Sequence, residues 1–392
     1  MKHRFRLWFL SFLLLSKSFA QSGIIPADNR TEQYLPLLKG KNIAVVANHT
    51  SFINKKNIVD SLLSLGIKIK VIFSPEHGFR GIADAGEVVN NSIDSLTQLP
   101  VISLYGNYHK PKKEDLQGVD VVLFDIQDVG VRFYTYISTM HYVMEACAEQ
   151  SIPFVVLDRP NPNGYYVDGP VLKIQFQSFV GMHPVPIVYG MTIGEYAKMV
   201  NGEGWLAGGK RCKLTVIECV GYTHSSRIDI PIKPSPNLPN ALSIKLYPTL
   251  CLFEGTVMSV GRGTDYPFQV VGHPGFNVNG FTFKPRSISG VCKVPLFIGQ
   301  TCNAIDYRSK RAFPAFEEGK INIEIVRFAY KNTTLKEKQV FFNSFFNRLC
   351  GNEELKQQLI DNVPETQIRA SWKNDLDVFK LIRSKYLLYK DF

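Results

Sequence analysis

A chain of 392 residues with 45% hydrophobic residues and mixed charges can bury a large core, which excludes a disordered polypeptide and makes two domains the natural expectation. The formal net charge is +11, yet no Lys/Arg run interleaves with aromatic residues, so no nucleic-acid partner is expected. Beyond residue 20 no stretch is apolar enough to cross a bilayer, so stable membrane insertion is not expected either.

The first 20 residues read as a leader rather than as part of the fold. Lys2, Arg4 and Arg6 precede a short apolar core from Leu7 to Leu15, and Ser18-Phe19-Ala20 offers a small-x-small cleavage site. The expected mature chain starts at Gln21 and is exported, to the periplasm or beyond the cell. Losing Lys2, Arg4, Arg6 and Lys17 with the leader leaves a net charge of +7, which mildly suits anionic ligands. All seven cysteines lie in the mature part, with no C-x-x-C and no His-Cys ligand spacing, so no metal site is indicated. Export would allow some of them to pair.

Ile43 to Ala47 predicts a short buried strand, followed by Asn48-His49-Thr50-Ser51. Asn57 to Leu65 predicts a helix with Ile58, Leu62 and Leu65 on one face, ended by Gly66. Ile67 to Phe73 predicts a second strand that runs into Ser74-Pro75-Glu76-His77-Gly78. Pro75 cannot continue a ladder, and Gly78 permits a sharp turn, so Glu76 and His77 fall just past the strand end. Further strands are predicted at Pro100 to Tyr105, Val119 to Asp125 and Ile152 to Leu157, with a helix from Tyr136 to Gln150. Apolar strands alternating with helices predict a Rossmann-like parallel sheet covered on both faces.

Each strand exit carries polar residues able to do chemistry: Asn48, Glu76, Asp125 and Asp158. Parallel strands present these exits on one side, so the residues converge on one crevice. The competing role is to cap helices or brace Asx turns. The first strand is followed by no G-x-G-x-x-G and no P-loop, which disfavours a nucleotide.

Thr192 with Glu195 predicts a capping box for a helix up to Val200, and Lys213 to Val220 predicts another strand. Pro231, Pro234, Pro236 and Pro239 exclude helix and central strand, and mark a domain crossing and a candidate cleft wall. The expected division is a leader at 1–20, a Rossmann-like catalytic domain at 21–232 and a smaller α+β domain at 233–392. In the latter, Arg262 between two glycines suits a carboxylate or phosphate, or else a structural pairing with an acid such as Asp265. Ile321 to Phe328 reads as a strand, Glu337 to Leu349 as a helix, and Leu376 to Tyr389 as a helix. Trp372, Phe379, Leu381 and Ile382 are expected to pack.

Four motifs stand in order: Ser74-Pro75-Glu76-His77-Gly78, Asp125 to Tyr136, Asp158-Arg159-Pro160-Asn161-Pro162, and Phe253-Glu254-Gly255-Thr256 with Gly261-Arg262-Gly263-Thr264. Together they resemble the bacterial exo-β-N-acetylmuramidase family, over essentially the whole mature chain. The resemblance implies a cleft between a Rossmann-like domain and a smaller one. It also implies release of N-acetylmuramic acid from non-reducing ends of peptidoglycan fragments, and it matches Glu76 to the family's presumed catalytic glutamate.

Glycoside hydrolysis usually pairs a protonated carboxyl with a second carboxylate. Glu76 is the expected acid, with His77 beside it and Asp125 or Asp128 as the second group. The second and fourth strands can lie about 10 Å apart, which does not decide between inversion and retention. Arg132, Arg262 and His77 are candidates to meet the lactyl carboxylate of muramic acid, and Tyr134 and Tyr136 to stack on sugar faces. Asn48, Gln127, Arg159, Asn161 and Glu254 complete the expected substrate contacts, and no cofactor is expected. Two other readings compete. One is a metal-dependent phosphoesterase or amidohydrolase using Asp125, Asp128, His77 and His141. The other is a non-catalytic exported sugar-binding protein.

Overall fold

The apolar runs hydrogen-bond into a single seven-stranded sheet. In the computed structural model of the protein, which describes residues 23–81, 87 and 90–392, the strands are β1 (Asn42–Ala47), β2 (Lys68–Ser74), β3 (Ser92–Ile93), β4 (Pro100–Ser103), β5 (Val121–Asp125), β6 (Phe154–Leu157) and β7 (Leu214–Ile217). The leader expected at 1–20 lies outside the described residues. The spatial order is β3-β4-β2-β1-β5-β6-β7, and every neighbouring pair is parallel except β3 with β4 at the edge. The chain thus builds outward from β1 to β4, returns, and builds the other way from β5. The reversal between β1 and β5 is the switch point beyond which α/β sheets hold their ligands.

The central strands β1, β5 and β6 are apolar but for Asn42 and Asp125 at their ends, because both faces of the sheet are covered there, whereas Lys68 and Lys70 of β2 and Thr215 of β7 are exposed. The two-residue period sorts them cleanly. Ile43, Val45, Ala47, Leu123 and Leu157 pack on one face with Ile58, Val59 and Leu62. Ala44, Val46, Phe73, Phe124 and Phe154 pack on the other with Met140, Val143 and Met144 of the helix Tyr136–Gln150. Each buried Val, Leu, Ile, Phe or Met among them contributes about 1.5–3 kcal/mol over an exposed one. Helix ends are fixed locally: Asn57 caps Ile58–Ser64 through Val59 N–H, and Thr192 and Glu195 form the reciprocal capping box of Ile193–Gly202.

The smaller C-terminal part holds an antiparallel sheet of β8 (Val270–His273), β9 (Phe281–Phe283) and β10 (Cys302–Asp306), with β10 in the middle. Its Tyr247, Phe253, Phe341 and Trp372 belong to the same apolar cluster as the inner face of the large sheet, so the two parts share a core.

Three expectations for this part are corrected. The run from Ile321 forms the helix Ile323–Lys331, because Ile323, Val326 and Ala329 recur at helical spacing and are buried; the alternation of Ile321, Ile323 and Ile325 is incidental. Residues 337–349 do not form one helix. Helices Leu335–Lys338 and Phe345–Cys350 flank a break at which Phe341 and Phe342 pair their backbone with Val257 and Thr256. The final helix is Glu365–Ser384, and it buries Trp372 and Phe379 but leaves Leu381 70% exposed. Beyond it the chain returns to the large sheet, where Tyr389 donates to Asp158 Oδ2 (2.5 Å) and the Leu388 N–H to Glu195 Oε1 (2.8 Å). Cys147, Cys212, Cys219, Cys251, Cys302 and Cys350 are buried as free thiols. No helix of the described residues is long and apolar enough to cross a membrane.

Candidate active site

β2 ends at Ser74 and the chain turns at once. Gly78 N–H donates to the Pro75 carbonyl, and His77 and Gly78 both take left-handed backbone conformations, with φ of +72° and +78°. That conformation at a non-glycine residue costs of order 1–3 kcal/mol, and such strain concentrates at functional sites. The turn places Glu76 and His77 on the wall of a cavity completed by Thr135, Tyr136, Asn237 and Arg262. Phe133, Tyr134, Tyr247 and Phe268 give it aromatic walls.

Glu76 is half-buried, and its Oε2 accepts from Thr135 Oγ1 at 3.1 Å. Thr135 occupies the N-cap position of the helix Tyr136–Gln150, but its hydroxyl makes no capping bond; it is turned to Glu76 instead. The Tyr105 phenol lies near Glu76, and burial with the nearby Glu76 charge pushes this phenol above its ordinary pKa. Glu76 therefore faces the Thr135 hydroxyl, the neighbouring Tyr105 phenol and the positive end of a 15-residue helix, which together stabilise the carboxylate left after a proton is given away.

Arg262 enters from the C-terminal part. Its Nε donates to Glu254 Oε1 (2.6 Å), and its guanidinium carbon lies 5.0 Å from the Phe268 ring centre. Glu254, not Asp265, is its partner; Asp265 pairs with Arg286. Gly261 and Gly263 are both left-handed, and a Cβ on either would come within 2.6 Å of Val270 or the Arg286 carbonyl, so the turn that delivers Arg262 requires glycine.

The sequence-predicted residues separate into groups. Glu76, His77, Tyr134 and Arg262 line one cavity, and Glu254 holds Arg262 beside it. Asp125 is fully buried, and its Oδ1 accepts from Arg159 Nε (2.8 Å) and Nη2 (2.5 Å); burial raises this carboxyl while Arg159 draws it back down. Asp128 Oδ2 accepts from Gly130 N–H (2.7 Å) and from the Tyr189 hydroxyl. Asn48 Oδ1 accepts from Thr50 N–H and Oγ1, and Asn161 braces the turn through Asn163 N–H and the Met191 carbonyl. Arg132 is wholly buried and donates to the carbonyls of Pro170, Val185 and Leu349. Gln127 and Arg159 line a different cavity. His141 is hydrogen-bonded to His183, and among the described residues no group of three or more His, Cys, Asp or Glu side chains is placed to hold a metal ion.

Sequence reasoning missed Tyr105, Thr135, Tyr247 and Phe268. Thr135 sits within the Asp125–Tyr136 motif and Tyr105 at the exit of β4, so position offered a signal for both. Tyr247 and Phe268 offered none. The proline-rich segment does form a wall, through Ser235, Asn237 and Leu238.

The buried Asp128 carries a pH signature. Burial pushes its carboxyl up to about 6, against the hydrogen bonds from Tyr189 and the Gly130 and Val129 backbone. A raised folded-state pKa means the protein is favoured below the unfolded value and loses that stability as pH rises through about 6. Wild type should therefore lose about 2 kcal/mol relative to Asp128→Asn between pH 4 and pH 8. Paired denaturant titrations at those pH values check this; a stability difference independent of pH would refute it.

Comparison with known proteins adds the family. Residues 43–242 match the family model described as exo-beta-N-acetylmuramidase NamZ, N-terminal, and residues 245–389 match the corresponding C-terminal model. The chain is 37% identical to the peptidoglycan beta-N-acetylmuramidase NamZ of Bacillus subtilis (strain 168) over 95% of this chain and 92% of that protein. It is similar to the crystal structures of two DUF1343 family proteins from Bacteroides fragilis NCTC 9343. One has a TM-score of 0.86 at 44% identity, covering 95% of this chain and 100% of that one. The other has a TM-score of 0.76 at 29% identity, covering 94% and 99%.

Proposed function

Because the chain belongs to the exo-β-N-acetylmuramidase family, we propose that it is an exo-acting glycoside hydrolase that releases N-acetylmuramic acid from non-reducing ends of peptidoglycan fragments, with Glu76 as its general acid. The observation that carries the assignment of the acid is the placement of Glu76 in the cavity wall between the Thr135 and Tyr105 hydroxyls. As the bond from the anomeric carbon to the leaving oxygen breaks, Glu76 gives its proton to that oxygen, and a water molecule bonds to the anomeric carbon and gives up a proton in turn, so that N-acetylmuramic acid and the shortened glycan leave with the elements of one water added. The Thr135 hydroxyl and the helix N-terminus, with the Tyr105 phenol close by, stabilise the negative charge that appears on the carboxylate. Asp125 and Asp128 serve the fold in this reading, since Arg159, Tyr189 and a backbone N–H hold one oxygen of each and the other oxygen is buried. Mass spectrometry of the products from a muramyl-terminated glycan tests it: release of terminal N-acetylmuramic acid alone is expected, and internal cleavage would overturn it.

Arg262 is the group for the lactyl carboxylate. Glu254 holds its Nε, which sets the plane of the guanidinium and leaves the terminal nitrogens for the cavity. A hydrogen bond to a charged group contributes about 1.5–3 kcal/mol, so Arg262→Ala should reduce kcat/KM on a muramyl substrate about 10- to 150-fold. The comparison is the same variant on a glucosaminyl analogue without the lactyl group, where the loss should be small. Equal losses on both would show that Arg262 does not read the carboxylate.

Export fits this substrate. The basic start, the apolar core and Ala20 place the mature terminus near Gln21. N-terminal sequencing of protein from an envelope fraction should read Gln21, and an intact Met1 in the soluble cytosol would contradict export.

A further inference from the structure

A second cavity, of about 300 Å3, opens at the same sheet edge beyond the ends of β5 and β6. Its floor is Gln127 and Arg159, and its walls include Ile24, Pro26, Ile228 and Ile230. The proline-rich segment lies between it and the Glu76 cavity, with Pro231 lining one and Ser235 to Leu238 the other.

The floor is built with two groups left over. Gln127 Nε2 donates to the Asp128 carbonyl (2.8 Å) and the Pro160 carbonyl (2.9 Å), which fixes the orientation of its amide and leaves Oε1 as an acceptor. Arg159, only 7% exposed, commits Nε and Nη2 to Asp125, with Nη2 also 3.2 Å from Asp28. Among the described residues nothing hydrogen-bonds Gln127 Oε1 or Arg159 Nη1; neither atom is fully buried, and both residues line the cavity. The floor thus presents one N–H donor and one carbonyl acceptor.

Charge selects the ligand further. Asp125 and Asp28 already flank the Arg159 guanidinium, and Asp229 adds a carboxylate to the lining, so the cavity offers an anion no net attraction. A neutral group that accepts from Arg159, donates to Gln127 and lays a small aliphatic substituent against Ile228 and Ile230 is a secondary amide. We infer that this cavity binds a secondary amide of the substrate on the leaving-group side of the cut. The chemistry is shared by the acetamido group of a sugar and by the peptide attached to the glycan. The identity of the amide's parent rests on the muramidase reading above; the cavity and its floor do not.

Ile230 is half-buried, so Ile230→Trp fills the cavity without opening the core. The substrates are an aryl muraminide, a muramyl-terminated tetrasaccharide without peptide, and the same tetrasaccharide carrying peptide. Expected is a rise of about tenfold in KM on an extended substrate, with kcat and all aryl parameters unchanged. A rise on the peptide-free glycan identifies the sugar acetamide, and one confined to the peptide-bearing glycan identifies the peptide. Calorimetric binding of both tetrasaccharides in a Glu76→Gln background, with and without Ile230→Trp, reads the cavity independently of turnover. That separates failure of the cavity from failure of the Glu76 assignment. Affinities and KM values unaffected by Ile230→Trp on both tetrasaccharides would overturn the inference.

Discussion

Glu76→Gln should lower kcat on a muramyl-terminated disaccharide by about 10²–10⁴-fold, the range that general acid assistance supplies. The substitution keeps the volume of the side chain and an oxygen able to accept from Thr135 Oγ1, so folding should stay within about 0.5 kcal/mol of wild type. What it removes is the transferable proton. An aryl muraminide with an activated leaving group needs little protonation, and on it the loss should shrink to a small factor. A glutamate that only held the turn after β2 would instead affect both substrates alike and lower the unfolding midpoint. Near-normal rates of Glu76→Gln on the disaccharide would remove Glu76 from the mechanism. So would loss of wild-type turnover on chelation, which would move a metal-dependent hydrolase ahead.

Arg132→Met should destabilise the protein by about 3–5 kcal/mol, read as a shift in the urea midpoint at an unchanged slope. Arg132 is 0% exposed, and its guanidinium satisfies the carbonyls of Pro170 (2.8 Å), Val185 (2.6 Å) and Leu349 (2.8 Å). Methionine keeps the aliphatic stem and leaves those buried acceptors without donors, at about 1–3 kcal/mol each. Part of that loss is offset, because burial without a carboxylate partner already disfavours the cation and draws its pKa down to about 10. Leu349 belongs to the helix Phe345–Cys350, so the residue also ties the C-terminal part to the large sheet. Had Arg132 met the lactyl carboxylate, as its place in the Asp125–Tyr136 motif suggests, the variant would keep its stability and raise KM. Measuring both quantities on one preparation separates the two roles.

The contrast between Arg132 and Arg262 shows where residue-level reading stops. Both are arginines in glycine-bearing turns of recognisable motifs. One donates to carbonyls 38, 53 and 217 residues away and is inaccessible; the other is held by a glutamate eight residues away and lines a cavity. The aspartates divide from Glu76 in the same way. Asp125, Asp128 and Glu76 all follow buried strands, but only Glu76 is turned into the cavity, by the left-handed His77–Gly78 turn. Composition and spacing cannot tell a carboxylate that the fold seals in its interior from one that it turns into a cavity.

The parallel sheet, the helix Tyr136–Gln150, the capping box at Thr192 and the turn that carries Glu76 follow from the order of the amino acids. These depend on apolar periodicity, capping residues, proline and glycine, all of which act within a few residues. The tertiary structure alone decided which polar groups pair off in the interior and which stay available. It made Ile321 to Phe328 part of a helix rather than a strand, set Thr135 and Tyr105 around Glu76, and gave Gln127 and Arg159 a cavity of their own. Those outcomes depend on burial and on partners distant in the chain, because a buried polar group must be satisfied by whatever the fold brings within hydrogen-bond reach.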